Sequence, residues 1–296
     1  MIINSQQFSP KEVAQALGVS EATIKRWVDK NKLPAEKTLG GHRKITLKNL
    51  RDFCTASKYS IQKPEVLGLT ASTGRQKDKI RIAQEELNTA FNTCSEEKIR
   101  GLLTNLALAE VPFHQIFDTV LTPALHQLGC DWYEGTIDAF QERRTIQICT
   151  RLLYSFESFF ETPKENAPIA LLGTLKNDPY IIPILMLETI LRSKGWRTEF
   201  LGNDLELSSY GKAIELYQPE LLAISCSGER EENELAQELR SLADFCDKEK
   251  PELLVGGRYI TEEIIASNSN IHFPKSMTDF YEILSTEGLL AGKASQ

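Results

Sequence analysis

The sequence predicts a multidomain α and α/β chain: a small winged helix-turn-helix head, a helical bundle, then a doubly wound parallel sheet. Three observations carry this. Two short helix patterns joined at a glycine, followed by a Gly-Gly hairpin pattern, occupy residues 9–45. Helical periodicity then runs from Asp78 to about Phe160. From Pro168 onward, short apolar runs alternate with helical patterns, the order that builds a parallel sheet with helices on both faces. At 296 residues the chain is too long for one small domain and fits two or three.

In the head, Ser9-Pro10-Lys11-Glu12 combines an N-cap, a proline at the first helical position and a capping-box glutamate. The helix it opens carries Val13, Ala16 and Leu17 on its apolar side and stops at Gly18-Val19. Ser20 caps a second helix. There Ile24, Trp27 and Val28 point inward, while Ala22, Thr23, Lys25 and Arg26 lie outward, so a helix buried on one side offers cations on the other. Pro34 ends this segment. Lys37 to Ile45 then reads as a hairpin whose Gly40-Gly41 turn can take positive φ, bringing Lys37, His42, Arg43 and Lys44 near one tip. The candidate DNA contacts are Ser20, Thr23, Lys25, Arg26, Lys37, His42, Arg43 and Lys44. A helix from Leu47 to Thr55 starts behind Thr46, and the head is assigned to residues 1–58.

Residues 59–77 are polar and aperiodic and are expected to be a linker. The bundle, 78–162, should hold about four helices, with breaks at Thr93-Cys94-Ser95, Val111-Pro112 and Gly129. Leu102, Leu103, Leu106, Leu108 and Val111 form much of an apolar stripe, and Ser95 begins a capping pattern. After a second linker at Thr162 to Asn166, the sheet domain spans 167–290. Strands are expected at Pro168–Gly173, Trp196–Leu201, Leu221–Ser225 and Glu252–Val255, with helices at Tyr180–Lys194, Ser208–Tyr217 and Glu229 to about Cys246. Ligands of such sheets bind outside the carboxyl ends of the strands, so the loops at 173–178, 202–204, 225–228 and 256–258 would rim a pocket.

Net charge is −7, but residues 1–58 hold eleven Lys/Arg against five Asp/Glu, a net of +6, leaving −13 on the rest. A basic head on an acidic body suits a protein that touches double-stranded DNA with one end. No apolar run of membrane-spanning length and no leader pattern is present, which predicts a cytoplasmic protein with no membrane partner. The six cysteines (54, 94, 130, 149, 226, 246) have no metal-ligand spacing and read as reduced thiols, so no metal site is expected. No catalytic set emerges: His42, His114, His126 and His272 lie in separate segments, there is no P-loop, and Ser225-Cys226-Ser227-Gly228 is not a nucleophile elbow.

The run from Phe8 to Cys54, with its capping box, Gly-Val-Ser turn, Arg-Trp pair and Gly-Gly-His-Arg wing, resembles the MerR superfamily in its excisionase-like variant. With the bundle and a flavodoxin-like sheet behind it, nearly the whole chain resembles the cobalamin-dependent photoreceptor repressors of the CarH and LitR type. That resemblance implies a loop in which an acidic residue, a spacer, a cobalt-ligating histidine, two residues and a glycine follow in order. Here the corresponding residues are Asp178, Tyr180 and Pro183. It also implies a cap of tryptophan, nine residues and Glu-His over the corrin, and this chain has Trp132, Glu142 and Arg143. Neutral imidazole ligates a transition metal well; a protonated phenol and a guanidinium do not. Asp178, Gly202, Ser225, Gly256 and Gly257 match the lining of the nucleotide-tail groove, and small residues at strand ends also serve the bare fold. Trp132 taken alone reads as a core residue.

Two functions follow from different classes. One is a non-enzymatic, sequence-specific transcription regulator whose body senses a partner protein or small ligand and assembles a homodimer or higher oligomer, without a cobalamin cofactor. The alternative is a cobalamin-dependent light-sensing repressor, or a corrinoid-carrying methyltransferase component, which shares the bundle-plus-sheet order.

Overall fold

A computed structural model of the chain describes residues 7–37, 41–57, 59, 61–67, 76–249, 251–265 and 271–286. The fold divides into two units, residues 1–160 and 161–296. Among the described residues no helix is long and apolar enough to cross a membrane.

In the first unit, β1 (Gln7–Phe8) leads into α1 (Pro10–Leu17), α2 (Glu21–Asp29), β2 (Glu36–Lys37), β3 (Arg43–Thr46) and α3 (Leu47–Ser57). The capping box forms in full: Ser9 Oγ accepts from the Glu12 amide and the Glu12 carboxylate accepts from the Ser9 amide. Gly18 ends α1 at φ 67°, a left-handed conformation that glycine adopts without a Cβ penalty. Ile24 of α2 is fully buried, and Val13, Ala16, Leu17, Leu33, Ile45 and Leu50 of the head are buried with it. Trp27 and Val28 are half-buried, and the Trp27 ring packs on Phe53 of α3 at 4.7 Å and on Tyr59 at 4.8 Å. The three strands pair antiparallel in the order β1-β3-β2. Gly41 has φ 77°; its expected partner in the turn, Gly40, lies outside the described residues.

Of the stretch expected as a linker, residues 61–67 contribute to the head. The Gln62 and Lys63 amides donate to the Ala16 carbonyl at 2.8 and 3.0 Å, and a 3-10 turn at Pro64–Leu67 buries Leu67 beside α1. The bundle comprises α4 (Gln76–Asn92), α5 (Glu96–Leu108), α6 (Phe113–Ile116), α7 (Thr122–Tyr133) and α8 (Ala139–Ser155). Cys94 and Glu110, at φ 50° and 59°, mark two of the expected breaks. The third is not found: α7 passes straight through Gly129. A helical glycine costs about 1 kcal/mol relative to alanine, and buried Ala124 and Leu128 hold the turn, so α7 runs on to Tyr133, with Gly135 at φ 76° just beyond. A π-helical turn, Phe117–Leu121, joins α6 to α7 ahead of Pro123. Pro123 has no amide to give to Thr119, and the Thr119 carbonyl accepts instead from Gln84 Nε2 at 2.9 Å. Head and bundle meet where Arg51 of α3 donates to the Phe159 carbonyl and lies over its ring.

The second unit is a five-stranded parallel sheet in the order β5-β4-β6-β7-β8. Its elements are β4 (Ile169–Thr174), α9 (Ile182–Ser193), β5 (Arg197–Phe200), α10 (Leu207–Tyr217), β6 (Leu221–Ser225), α11 (Glu232–Glu249), β7 (Glu252–Gly256), α12 (Glu262–Ile265), β8 (Ile271–His272) and α13 (Met277–Thr286). The central strands are buried along nearly their whole length, as strands covered on both faces must be. Helix α11 starts at Glu232 rather than Glu229 because the buried Arg230 side chain turns inward to Glu238 and the Lys176 carbonyl. Strand β8, two residues long, carries too little pattern to be read from sequence.

Candidate nucleic-acid interface and strand-end loops

On α2, the hydroxyl of Ser20 accepts from the Thr23 amide at 3.2 Å and lies 2.9 Å from the Thr23 hydroxyl, so both residues are engaged in the cap. Lys25 is exposed and pairs with Glu21 one turn earlier at 2.8 Å, which holds the Glu21 carboxyl below the ordinary carboxylate range. Arg26 is exposed and makes no ion pair among the described residues. In the wing, Lys37 faces Arg43 and Glu36 faces Lys44 across the β2–β3 pair, with His42 just before β3. Arg43 does not stand free at the tip. Its Nη2 meets Asp29 Oδ1 on the last residue of α2, tying wing to helix. The eight expected residues thus fall into a helix set and a wing set linked through Asp29, which the sequence reading left out.

At the carboxyl ends of the strands, Asp178 is 1% exposed. Its Oδ2 accepts from the Ser227 amide at 2.6 Å and its Oδ1 from the Tyr180 amide at 3.0 Å, while its carbonyl accepts from Thr174 Oγ1 at 2.7 Å. The carboxylate therefore fastens the loop after β4 to the loop after β6. Gly228 lies against this junction: a Cβ there would sit 3.0 Å from the Asn177 carbonyl oxygen. Tyr180 is 55% exposed, and Pro183 occupies the first turn of α9, where it needs no intrahelical donor. Ser225 is buried, its hydroxyl 3.4 Å from that of Ser227.

The three glycines of the expected groove differ. Gly257, at φ 126°, would drive a Cβ to 2.2 Å from the Cys226 carbonyl oxygen, so its identity is required by the fold itself. Gly202, at φ 104°, is likewise explained by its backbone. Gly256 has no such need, since the nearest atom to a Cβ there is the Pro274 carbonyl oxygen at 3.9 Å. Burial pushes the Cys226 thiol well up, leaving it no nucleophile.

A cobalt centre held from below by histidine does not fit these residues. Where the resemblance implies a histidine ligand the chain carries Tyr180, whose phenol is a poor cobalt ligand, and both Asp178 oxygens are taken by backbone amides. On the bundle, Trp132 lies in the last turn of α7 and is 47% exposed, not a core residue; the end of a helix leaves its ring only partly covered. Glu142 and Arg143 stand in the first turns of α8, Arg143 80% exposed with its Nε 3.4 Å from Glu142. Exposed Tyr133 and Phe140 flank them in sequence.

Residues 8–56 match the family model described as a helix-turn-helix domain. Over 291 residues the chain is 22% identical to the HTH-type transcriptional repressor CarH of Myxococcus xanthus, covering 92% of this chain and 96% of that protein. The monomethylamine corrinoid protein of Methanosarcina barkeri superposes with a TM-score of 0.55 at 16% identity, over 69% of this chain and 97% of its own, a likeness of fold. The chain thus joins a helix-turn-helix head to a bundle-plus-sheet body whose fold is similar to that of a corrinoid protein, and over most of its length it is similar to a transcriptional repressor.

Proposed function

We propose that this protein is a sequence-specific DNA-binding transcription regulator whose body senses a partner protein or a small ligand and self-associates, without a histidine-ligated cobalamin. One observation carries the reading: α2 is capped, buried on its Ile24 side and bare on its Arg26 side, beside a wing that carries Lys37, His42, Arg43 and Lys44. Such a helix fits the major groove, with the wing on neighbouring backbone. Similarity to a named repressor over most of the chain supports it. Two-fold DNA sites favour a dimer, and the acidic body is the part left to supply it. A Lys25→Ala, Arg26→Ala, Arg43→Ala chain, compared with wild type by fluorescence anisotropy on a duplex that wild type selects from a random library, should bind at least tenfold more weakly. Equal affinity would overturn the reading.

The alternative, a corrinoid-carrying repressor or methyltransferase component, draws support from the shared fold. Incubation with adenosylcobalamin and methylcobalamin in the dark separates the two. An unchanged protein spectrum after desalting supports the first reading, and retained, light-sensitive cobalamin establishes the second.

A further inference from the structure

Strand β3 alternates its side chains between two faces, so Arg43 shares the face of fully buried Ile45, while Lys44 and Thr46 take the other. Arg43 is turned toward the helix layer. There it meets Asp29, and its side chain is 27% exposed. Asp29 is poorly placed by local rules: an acid on the last residue of a helix opposes the helix dipole, and an acid beside a DNA-facing surface repels phosphate. What offsets both is the contact with Arg43.

We infer that Asp29 is a positioning residue of the DNA-binding surface: by holding Arg43 it fixes the wing to α2, while Arg26 on the same helix makes no ion pair among the described residues. The inference rests on the reading of α2 and the wing as the DNA-binding surface. Arg43 is then a strut whose value lies in preorganisation, because a wing already fixed has less freedom to lose on binding. Lys25 keeps a weak exposed pair with Glu21 that a phosphate can displace.

The sign of one substitution separates this from simple electrostatics. Removing a negative charge near DNA strengthens binding if charge is all that matters; removing a strut weakens it. Asp29→Asn, Arg43→Ala and the double variant are made in the full chain and titrated with a duplex selected by wild type, across a salt series. Asp29→Asn should bind about fivefold to thirtyfold more weakly, with a salt slope close to wild type, and the double variant should bind no more weakly than Arg43→Ala. Without DNA, the β3 amides of Asp29→Asn should exchange hydrogen faster than those of wild type. An Asp29→Asn chain that binds as tightly as wild type or tighter, or whose β3 exchange is unchanged, overturns the assignment alone. A wild-type chain that selects no duplex overturns the DNA-binding reading and the assignment with it.

Discussion

Replacing Asp178 by alanine tests whether the buried acid of the loop after β4 serves a ligand or the fold. In the structure its two carboxylate oxygens accept from the Ser227 and Tyr180 amides, in a site that is 1% exposed. Hydrogen bonds to a charged group contribute about 1.5–3 kcal/mol each. The bond to the Tyr180 amide lies within one loop, which can relax around its loss, whereas the bond to the Ser227 amide joins two loops. The expected cost is therefore about 2–4 kcal/mol. Trp196, 1% exposed, reports on this unit, and Trp27→Phe with Trp132→Phe removes the other indoles. In urea, with a slope near 2 kcal/mol per molar, the Trp196 midpoint should fall by about 1–2 M at unchanged slope. Asp178→Asn should lose a similar amount, since its NH₂ confronts one of the two amide donors. A midpoint within about 0.3 M of wild type would refute the reasoning and return Asp178 to the role of a ligand residue.

Three further outcomes are expected. Because the Ser9 amide and hydroxyl hold the Glu12 carboxyl below its ordinary range, that group's contribution is present above the unfolded value of about 4.3 and is lost as pH falls through the lower folded value; Glu12→Gln, which keeps the box, should flatten the acid limb of head unfolding followed by circular dichroism. A fragment of residues 1–67 should melt higher than one of 1–58, by at least 5 °C, because only the longer one keeps Tyr59 on Trp27 and Leu67 on α1; equal melting temperatures would show that the 59–67 segment adds nothing. Tyr180→His with Pro183→Gly should gain some cobalamin binding, read by visible absorption, if the strand-end loops admit a nucleotide tail, and none if they do not.

What could be read from the sequence was whatever a few neighbouring residues decide. The Ser9–Glu12 box, the Gly18 stop and the Ser20 cap are local hydrogen-bonding devices, and each occurs where its pattern placed it. The apolar strands of the sheet were legible for the same reason, since a strand covered on both faces must be apolar throughout. Gly129 misled because a helix stop needs glycine just past the end, and whether the turn before it is held by packing cannot be seen locally. The order β5-β4-β6-β7-β8, the folding of Tyr59 and Leu67 onto the head, the Asp178 bridge between loops and the Asp29–Arg43 tie join residues from 14 to 51 positions apart. Sequence established that such acids, aromatics and cations were there; only the packing of elements chose their partners, because a side chain's electrostatic and apolar contacts are set by what the fold brings within a few ångströms of it.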